Sequence, residues 1–238
     1  MDKRCKNSFM PILTIDGLSG TGKTCIASQI AADLGWQVLY SDCYYRFLAY
    51  CYLNMRFGID QDYTISAAVR ADLFQLSCRV NQFGDVVILL GNQDLSQDLS
   101  SEEVAVEAVR IAMKKCVRTQ LITMQRCVVR LPGLVAEGHD MGRVVFPQAD
   151  LRVYLTASDA VRVQRRFNQL NRGGNTAKIH EIAELQAERD AKDKDEYTYQ
   201  LLSKQNAVFI IDTSTMSISA VKEAIYRELL NQQVKINL

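Results

Sequence analysis

Hydrophobic and polar positions near the start of the chain predict a strand, a loop, a helix and a second strand in close succession. The apolar run over residues 11–15 predicts the first strand, and the pair Asp16-Gly17 ends it. Apolar residues then recur at helical spacing over residues 23–34, and Gly35 ends this helix. Residues 37–40 predict the second strand. This order is typical of a right-handed βαβ unit in a parallel sheet.

Residues 41–130 show a different pattern, in which helical periodicity dominates. Helices are predicted over residues 44–57 and 65–76, and a long basic helical region with room for one break is predicted over residues 102–130. Between them, the apolar run Val86–Leu90 has turn residues on both sides, which predicts a strand of a small β insertion. A mostly helical segment with a short sheet is therefore predicted inside the α/β fold.

Strands and helices alternate again after residue 130. Short apolar runs predict strands over residues 134–136, 151–155 and 208–212. Helices are predicted over residues 158–170, 176–193 and 217–230, with a glycine-containing loop over residues 171–175. The first and last parts of the chain therefore predict one α/β core that the middle segment interrupts.

Composition narrows the classes of function that this fold would carry. Of the 238 residues, 48% are hydrophobic and 23% are charged, as is ordinary for a globular protein. The formal net charge of +1 argues against a general nucleic-acid binder, although a local cluster of Arg and Lys would still suit a small anion. Seven scattered cysteines without a C-x-x-C pair favour neither a disulfide framework nor a zinc site. No signal peptide and no apolar run of about 18 residues occur, so we expect a cytoplasmic protein that does not span a membrane.

The segment from Gly17 to Thr24 carries the clearest chemical signal. It fits the phosphate-binding pattern G-x-x-x-x-G-K-[ST] completely, and its predicted strand and helix argue against a chance glycine-rich turn. Its glycines let successive backbone N–H groups point at phosphate oxygens, and the start of the helix adds its positive dipole end. Lys23 would reach the outer phosphates of a nucleotide, and the Thr24 hydroxyl would contact Mg²⁺. The candidate donor-site residues are Gly17, Leu18, Ser19, Gly20, Thr21, Gly22, Lys23, Thr24 and Cys25.

Further stretches extend the comparison beyond this P-loop. They are Ile15–Gly20, Leu131–Gly142, Val144–Pro147, Tyr154–Ser158 and Glu188–Asp190. Through them the sequence, from Ile12 to about Leu230, resembles the bacterial cytidylate kinases, the (d)CMP kinases among the nucleoside monophosphate kinases. The run Asp-Met-Gly-x-Val-Val-Phe-Pro that starts at Asp140 is highly specific to that family. The predicted β insertion also matches, since the family has an enlarged monophosphate-binding domain.

The resemblance implies an α/β, three-layer P-loop fold with a parallel sheet core, ATP as phosphoryl donor, Mg²⁺ as cofactor, and CMP or dCMP as acceptor. It implies a core of residues 9–40 and 131–235, an acceptor-binding insertion of residues 41–130 with a small antiparallel sheet, and a helical lid over about 158–195. The residues at acceptor positions are Ser41, Tyr45, Arg46, Arg118, Asp140, Arg189 and Asp193. Those expected to act on the transferring phosphoryl group are Lys23, Arg162, Arg189 and Lys192. The family also implies a monomer whose only partners are its nucleotides.

Some positions depart from the family pattern. The hydroxyl that follows the P-loop lysine stands one position early, in Thr24-Cys25, and Asp42 replaces a glycine that lets substrate approach. On the acceptor side, His139 and Glu196 replace arginines and Val109 replaces a small polar residue, while Glu137 replaces an aspartate of the same sign. Two alternatives to a CMP kinase therefore stay open. One is a nucleotide-binding protein with weak or no kinase activity, and the other is a kinase for a different acceptor, such as UMP, dUMP or a non-nucleotide.

Overall fold

The computed structural model describes residues 10–54, 64–81, 85–172, 178–196, 208–234 and 236, without the side chains of residues 170–172, 188–189 and 191–196. The elements of the first half are β1 (Ile12–Gly17), α1 (Lys23–Leu34), β2 (Gln37–Tyr40), α2 (Ser41–Leu53), α3 (Ala67–Gln75), β3 (Leu76–Val80), β4 (Val86–Leu90), β5 (Gln93–Asp94), α4 (Ser96–Ser100), α5 (Glu102–Ala112) and α6 (Lys115–Arg126). Those of the second half are β6 (Leu134–Gly138), a π-helical turn (Met141–Val145), β7 (Leu151–Thr156), α7 (Asp159–Arg172), α8 (Ile179–Glu196), β8 (Val208–Asp212) and α9 (Ile218–Asn231).

The core is a five-stranded parallel sheet in the order β2-β6-β1-β7-β8. Strand β1 lies in the centre, with Asp16 opposite Gly138 of β6 and opposite Tyr154 of β7. Because all strands run in the same direction, their carboxyl ends lie at one edge of the sheet, which is where ligands bind in this class of fold. The predicted parallel α/β core is confirmed.

A hydrophobic cluster covers each face of the sheet. On one face, Leu13 and Ile15 of β1 pack with apolar residues of α1 and α9, such as Ile30 and Ile225. On the other face, residues of β2 and β6 pack with helices α2 to α6, and Phe47 is fully buried there. Burying one such large apolar side chain is worth about 1.5–3 kcal/mol, so these two clusters hold the helices against the sheet.

The small sheet of the middle segment is antiparallel, in the order β3-β4-β5. Strand β4 has the predicted bounds, whereas β3 is a correction, because the helix predicted to reach Leu76 ends at Gln75. In β3 the apolar residues Leu76, Cys78 and Val80 alternate with Ser77 and Arg79, as in a strand with one packed face.

Other differences from the predicted helices are small. The long helical region predicted over residues 102–130, with room for one break, is broken once between Ala112 and Lys115 and ends at Arg126. Helix α7 continues through Asn171 and Arg172, which were predicted to lie in a loop; the rest of that loop, residues 173–175, is outside the described residues. Helix α2 begins earlier than predicted, and the predicted end at residues 55–57 is likewise outside them. Among the described helices, none is long and apolar enough to span a membrane.

Candidate active site

The P-loop connects β1 to α1 at the carboxyl edge of the sheet. Gly20 and Gly22 have φ values of 81° and 95°, the left-handed region that favours glycine. The Leu18 carbonyl accepts hydrogen bonds from the Thr21 hydroxyl (2.8 Å) and from the Lys23 ammonium (3.0 Å). Among the described residues no side chain caps the start of α1. The backbone N–H groups there are therefore placed as an anion-binding site, as the sequence predicts.

Arg162 of α7 supports the P-loop from behind. Its side chain is 1% exposed, and its guanidinium donates to the Ser19 carbonyl (3.0 Å) and to the carboxylates of Asp159 and Asp190. A Cβ atom added to Gly20 would lie 2.9 Å from the Arg162 Cβ, so the loop and α7 touch directly. The sequence reasoning placed Arg162 among the cations of the transferring phosphoryl group. In the structure, its charge lies between two carboxylates, because α7 packs against the P-loop at this residue.

Arg165 and Thr213 hold the end of the same loop. Arg165 donates to the carbonyls of Gly20 (3.3 Å) and Thr21 (3.4 Å) and, through its other nitrogen, to the Thr213 carbonyl (2.7 Å). The Thr213 hydroxyl lies 2.9 Å from the Thr21 carbonyl and 3.0 Å from the Thr156 carbonyl. Sequence reasoning missed Thr213, since its partners are up to 192 residues away. Loop, sheet and α7 are thus joined at one point.

A cavity of about 310 Å³ opens beside the P-loop. It lies between α1, α7 and the start of α9, and its lining includes Thr21, Gly22, Cys25, Arg165, Met216 and Ile218. Apolar residues with a few polar groups next to a phosphate-binding loop are typical of a nucleobase site.

Glu137 lies at the end of β6, next to the P-loop lysine. Its carboxylate is 3.9 Å from the Lys23 ammonium and accepts a hydrogen bond from the Thr24 hydroxyl. Burial raises the pKa of Glu137 to about 7, with help from the nearby carboxylates of Asp42 and Asp16 and against the effects of Lys23 and Thr24. Thr24, which follows Lys23 and departs from the family pattern, thus donates a hydrogen bond from its hydroxyl to the Glu137 carboxylate.

The chain after β6 is shaped by Asp16 of β1. The two carboxylate oxygens of Asp16 accept hydrogen bonds from the backbone N–H groups of Met141 (2.8 Å) and Gly142 (2.7 Å). These bonds fix the π-helical turn that begins after Asp140. Asp140 in turn accepts a hydrogen bond of 2.6 Å from Arg118 of α6. Two of the predicted acceptor residues are therefore in direct contact.

Helix α2 brings three more predicted acceptor residues to the same edge. Ser41 is buried, accepts a hydrogen bond from Gln125 (3.0 Å) and packs against Gly138, where an added Cβ would lie 3.0 Å from the Ser41 Cβ. Arg46 donates to Asp42 (2.6 Å) and to the Leu99 carbonyl (2.9 Å). Tyr45 is half-buried beside Arg46.

His139 lies between the donor and acceptor sides, where the charges of Lys23 and Asp42 both act on it. The residue is exposed, although many protein atoms lie around its imidazole. Desolvation lowers the pKa of His139 to about 4, Lys23 adds to this effect, and Asp42 opposes it. The imidazole is therefore neutral at neutral pH, where the family pattern has a permanent positive charge.

The remaining predicted residues are only partly described. The backbone of α8 contains Arg189, Lys192, Asp193 and Glu196, but their side chains lie outside the described residues. Val109 is 44% exposed on α5. The structure thus brings together Lys23, Thr24, Ser41, Arg46, Arg118 and Asp140, and its supporting residues Asp16, Gln125 and Gln186 were not predicted as such. Of these, Gln186 of α8 donates to the Ser19 carbonyl (3.2 Å).

Three features together are typical of a P-loop kinase: the phosphate-binding loop, its lysine next to a buried carboxylate, and a second group of basic residues at the same edge of the sheet. A sequence model of the family described as cytidylate kinase matches residues 13–231. The cytidylate kinase of Stutzerimonas stutzeri (strain A1501) is 34% identical over 226 residues, which cover 94% of this chain and 97% of that protein. The cytidylate kinase of Shewanella sp. (strain W3-18-1) is 37% identical over 214 residues, covering 90% and 92% respectively. The chain belongs to the cytidylate kinase family, which confirms the resemblance and does not favour a degenerate binding protein.

Proposed function

We propose that this chain transfers the γ-phosphoryl group of ATP to CMP or dCMP, giving ADP and CDP or dCDP. The main support for this proposal is that residues of the donor site and of the acceptor site lie next to each other at the carboxyl end of β6. Lys23 and Glu137 lie on the donor side, and Asp140, three residues after Glu137, pairs with Arg118 on the acceptor side. The family and its relatives support the same reaction.

On the donor side, the P-loop would hold the phosphates of ATP and the cavity beside it would hold the adenine. The loop supplies backbone N–H groups and the dipole of α1, while Arg165 and Thr213 fix its carbonyls away from the phosphates. The apolar wall that includes Met216 and Ile218 would contact the base. Arg162 acts here as a positioning residue, since its contacts are with the loop and two carboxylates.

The chemistry of the donor site fits Mg²⁺. The Thr24 hydroxyl and the Glu137 carboxylate are hard oxygen donors in contact with each other at the end of the phosphate-binding loop, as this ion prefers. These two residues would hold it, directly or through water. When bound, Mg²⁺ neutralises charge on the outer phosphates.

On the acceptor side, Arg46 and Arg118 would bind the phosphate of CMP with paired N–H donors. Ser41, Tyr45 and Asp140 lie around them and would contact the rest of the nucleotide. Arg189 and Lys192 as further phosphate ligands, and Asp193 as a ligand of the sugar, stay predictions from the family resemblance. The assignment of residues 41–130 to acceptor binding and of about 158–195 to a lid rests on the same basis, as does the monomeric state.

The reaction needs positioning and charge neutralisation more than proton transfer. A phosphate oxygen of CMP is already a nucleophile, so no strong general base is required. Lys23 would stabilise the charge that develops on the transferring group, and closure of the site would exclude water. His139, neutral at neutral pH, adds no charge to this step.

An acceptor panel tests the proposal. The purified chain is incubated with ATP and Mg²⁺ and with CMP, dCMP, UMP or dUMP, and ADP release and the diphosphate product are measured. We expect CMP and dCMP to be converted with the highest kcat/KM. Faster conversion of UMP or dUMP would show an altered acceptor, to which the exposed Val109 would contribute. Nucleotide binding without ADP release for any acceptor would overturn the proposal.

A further inference from the structure

The ion pair between Asp42 and Arg46 lies at the proposed phosphate site of the acceptor. Asp42 Oδ2 is 2.6 Å from the Arg46 Nε, one turn further along α2. The carboxylate is not remote from the reaction centre, because its charge acts on both Glu137 and His139. A negative group therefore lies where a dianionic phosphate would bind.

The hydrogen bonds of Arg46 show what a phosphate must displace. A guanidinium offers two edges, each with two N–H donors, to an incoming anion. Asp42 accepts from Nε, and the Leu99 carbonyl accepts from Nη1 at 2.9 Å. A phosphate that binds side-on, through Nε and an adjacent Nη, must therefore replace the Asp42 oxygen, whereas one that binds through Nη1 shares that nitrogen with the Leu99 carbonyl.

The two oxygens differ in how easily they move. Leu99 is fully buried, so its carbonyl is fixed by the packing of α4. The Asp42 side chain is 63% exposed and can rotate into water. The exchange therefore takes place at Asp42.

We propose that Asp42 is an affinity-determining residue for the acceptor, which occupies Arg46 in the absence of the acceptor and is displaced by its phosphate. This inference rests on the proposed function, because it takes CMP as the ligand of Arg46. The consequence is a weaker affinity for CMP than the same site would have without the carboxylate. Asp42 contacts Arg46 and acts on Glu137 and His139 only through its charge, so the main expected effect is on the binding of CMP and not on the chemical step.

The test compares Asp42→Asn, Asp42→Gly and Asp42→Glu with the wild-type chain. We expect Asp42→Asn and Asp42→Gly to lower the Kd and KM for CMP by about 3- to 10-fold, equivalent to about 0.7–1.4 kcal/mol. Neither kcat nor the KM for ATP should change by more than about twofold. Asp42→Glu keeps the negative charge, so its affinity for CMP should stay as weak as that of the wild-type chain. Asp33→Asn, which removes a carboxylate paired with Lys222 far from the site, serves as the control and should change none of these values.

Asp42 also lies in the first turn of α2, where a negative charge stabilises a helix. A purely structural role would lower the melting temperature of the variants without improving their affinity for CMP, and this result would overturn the proposal. Arg46→Ala provides a second check, measured by calorimetric titration with CMP. In that background, Asp42→Asn should give no further gain in affinity, and a full gain would show that Asp42 does not act through Arg46. Failure of the wild-type chain to phosphorylate any monophosphate would instead contradict the proposed function.

Discussion

The donor and acceptor sides of this site are built by different means. Around the P-loop, the contacts are mostly between side chains and backbone carbonyls, as where Arg162 reaches Ser19 and Arg165 reaches Gly20. On the acceptor side, the contacts are ion pairs between single side chains, Arg46 with Asp42 and Arg118 with Asp140. The donor loop is therefore held in a shape that its ligand can enter directly, whereas each arginine of the proposed acceptor site is paired with a carboxylate.

Because the two sides are built differently, they should respond differently to amino-acid substitutions. Binding by the backbone N–H groups of the P-loop depends on the shape of the loop, so the substitutions that weaken it are mainly those that introduce a steric clash. A site of ion pairs depends on charge, so the main expected effect of substitutions there is on affinity for the ligand. The departures from the family pattern whose side chains are described fall on both sides: Thr24 and Glu137 lie beside Lys23, Asp42 pairs with Arg46, and His139 lies between them.

Removing the positive charge of Lys23 on the donor side should have the largest effect on activity. Lys23→Ala should lower kcat for CDP formation by at least about 10²–10³-fold, because the transferring group loses a preorganised positive charge. The fold should persist, since Glu137 can take up a proton in place of its lost partner. Circular dichroism and thermal melting check the fold. Lys222→Ala, which removes a lysine paired with Asp33 outside the site, should retain activity, and a Lys23→Ala variant with normal turnover would refute the assignment.

Steric disturbance of the loop should rank second. Gly20→Ala would force a side chain into a left-handed backbone and place its Cβ 2.9 Å from the Arg162 Cβ. We expect a loss of about 2–3 kcal/mol in the free energy of unfolding and a clear increase in the KM for ATP. Gly91→Ala is the matched control, because Gly91 also has a positive φ but open space around it. It should cost only about 1 kcal/mol, with unchanged activity; equal losses in both variants would mean that the contact with Arg162 is unimportant.

Between the two sides, Glu137 should make stability depend on pH. Its pKa is raised to about 7 in the fold from an ordinary 4.5, so its favourable contribution is complete below about pH 4.5 and is lost as the pH rises through about 7. Glu137→Gln stays neutral and should therefore become more stable relative to the wild-type chain between pH 5 and pH 8, by up to about 3 kcal/mol. Chemical denaturation at several pH values measures this difference. Glu184→Gln, at an exposed carboxylate of α8, should show no such trend, and a flat difference for Glu137→Gln would contradict a raised pKa.

On the acceptor side, a change that keeps the charge but loses the fork geometry should have a smaller effect. Arg118→Lys should raise the KM for CMP by about tenfold, or about 1.4 kcal/mol, with little change in the KM for ATP. Arg70→Lys is a suitable control, because Arg70 also makes two hydrogen bonds, to Ile65 and Gln120, without lying on the proposed acceptor phosphate. If the KM for ATP rises as much as that for CMP, the division into two sides is wrong.

The sequence predicts the donor loop closely because its signal is local. The pattern of Gly17–Thr24 and the helix over Lys23–Leu34 depend on neighbouring residues, and the helix has the predicted bounds. Strand β3 was missed although its alternating apolar residues carry a strand signal, because the preceding helical pattern runs into Leu76. The contacts of Arg162 and Thr213 were beyond prediction, since they join residues 143 and 192 positions apart. A basic residue on a helix face has the same sequence signal whether it meets a phosphate or a buried aspartate.

The hydroxyl of Thr213, close to both Thr21 and Thr156, also bears on how the protein is made. Thr21 of the P-loop is synthesised 192 residues before Thr213, whose hydroxyl contacts the Thr21 carbonyl. A nascent or truncated chain that ends before β8 therefore has the whole phosphate-binding motif but lacks the contact that closes it. The P-loop should thus reach its full support only after β8 and Thr213 have been synthesised.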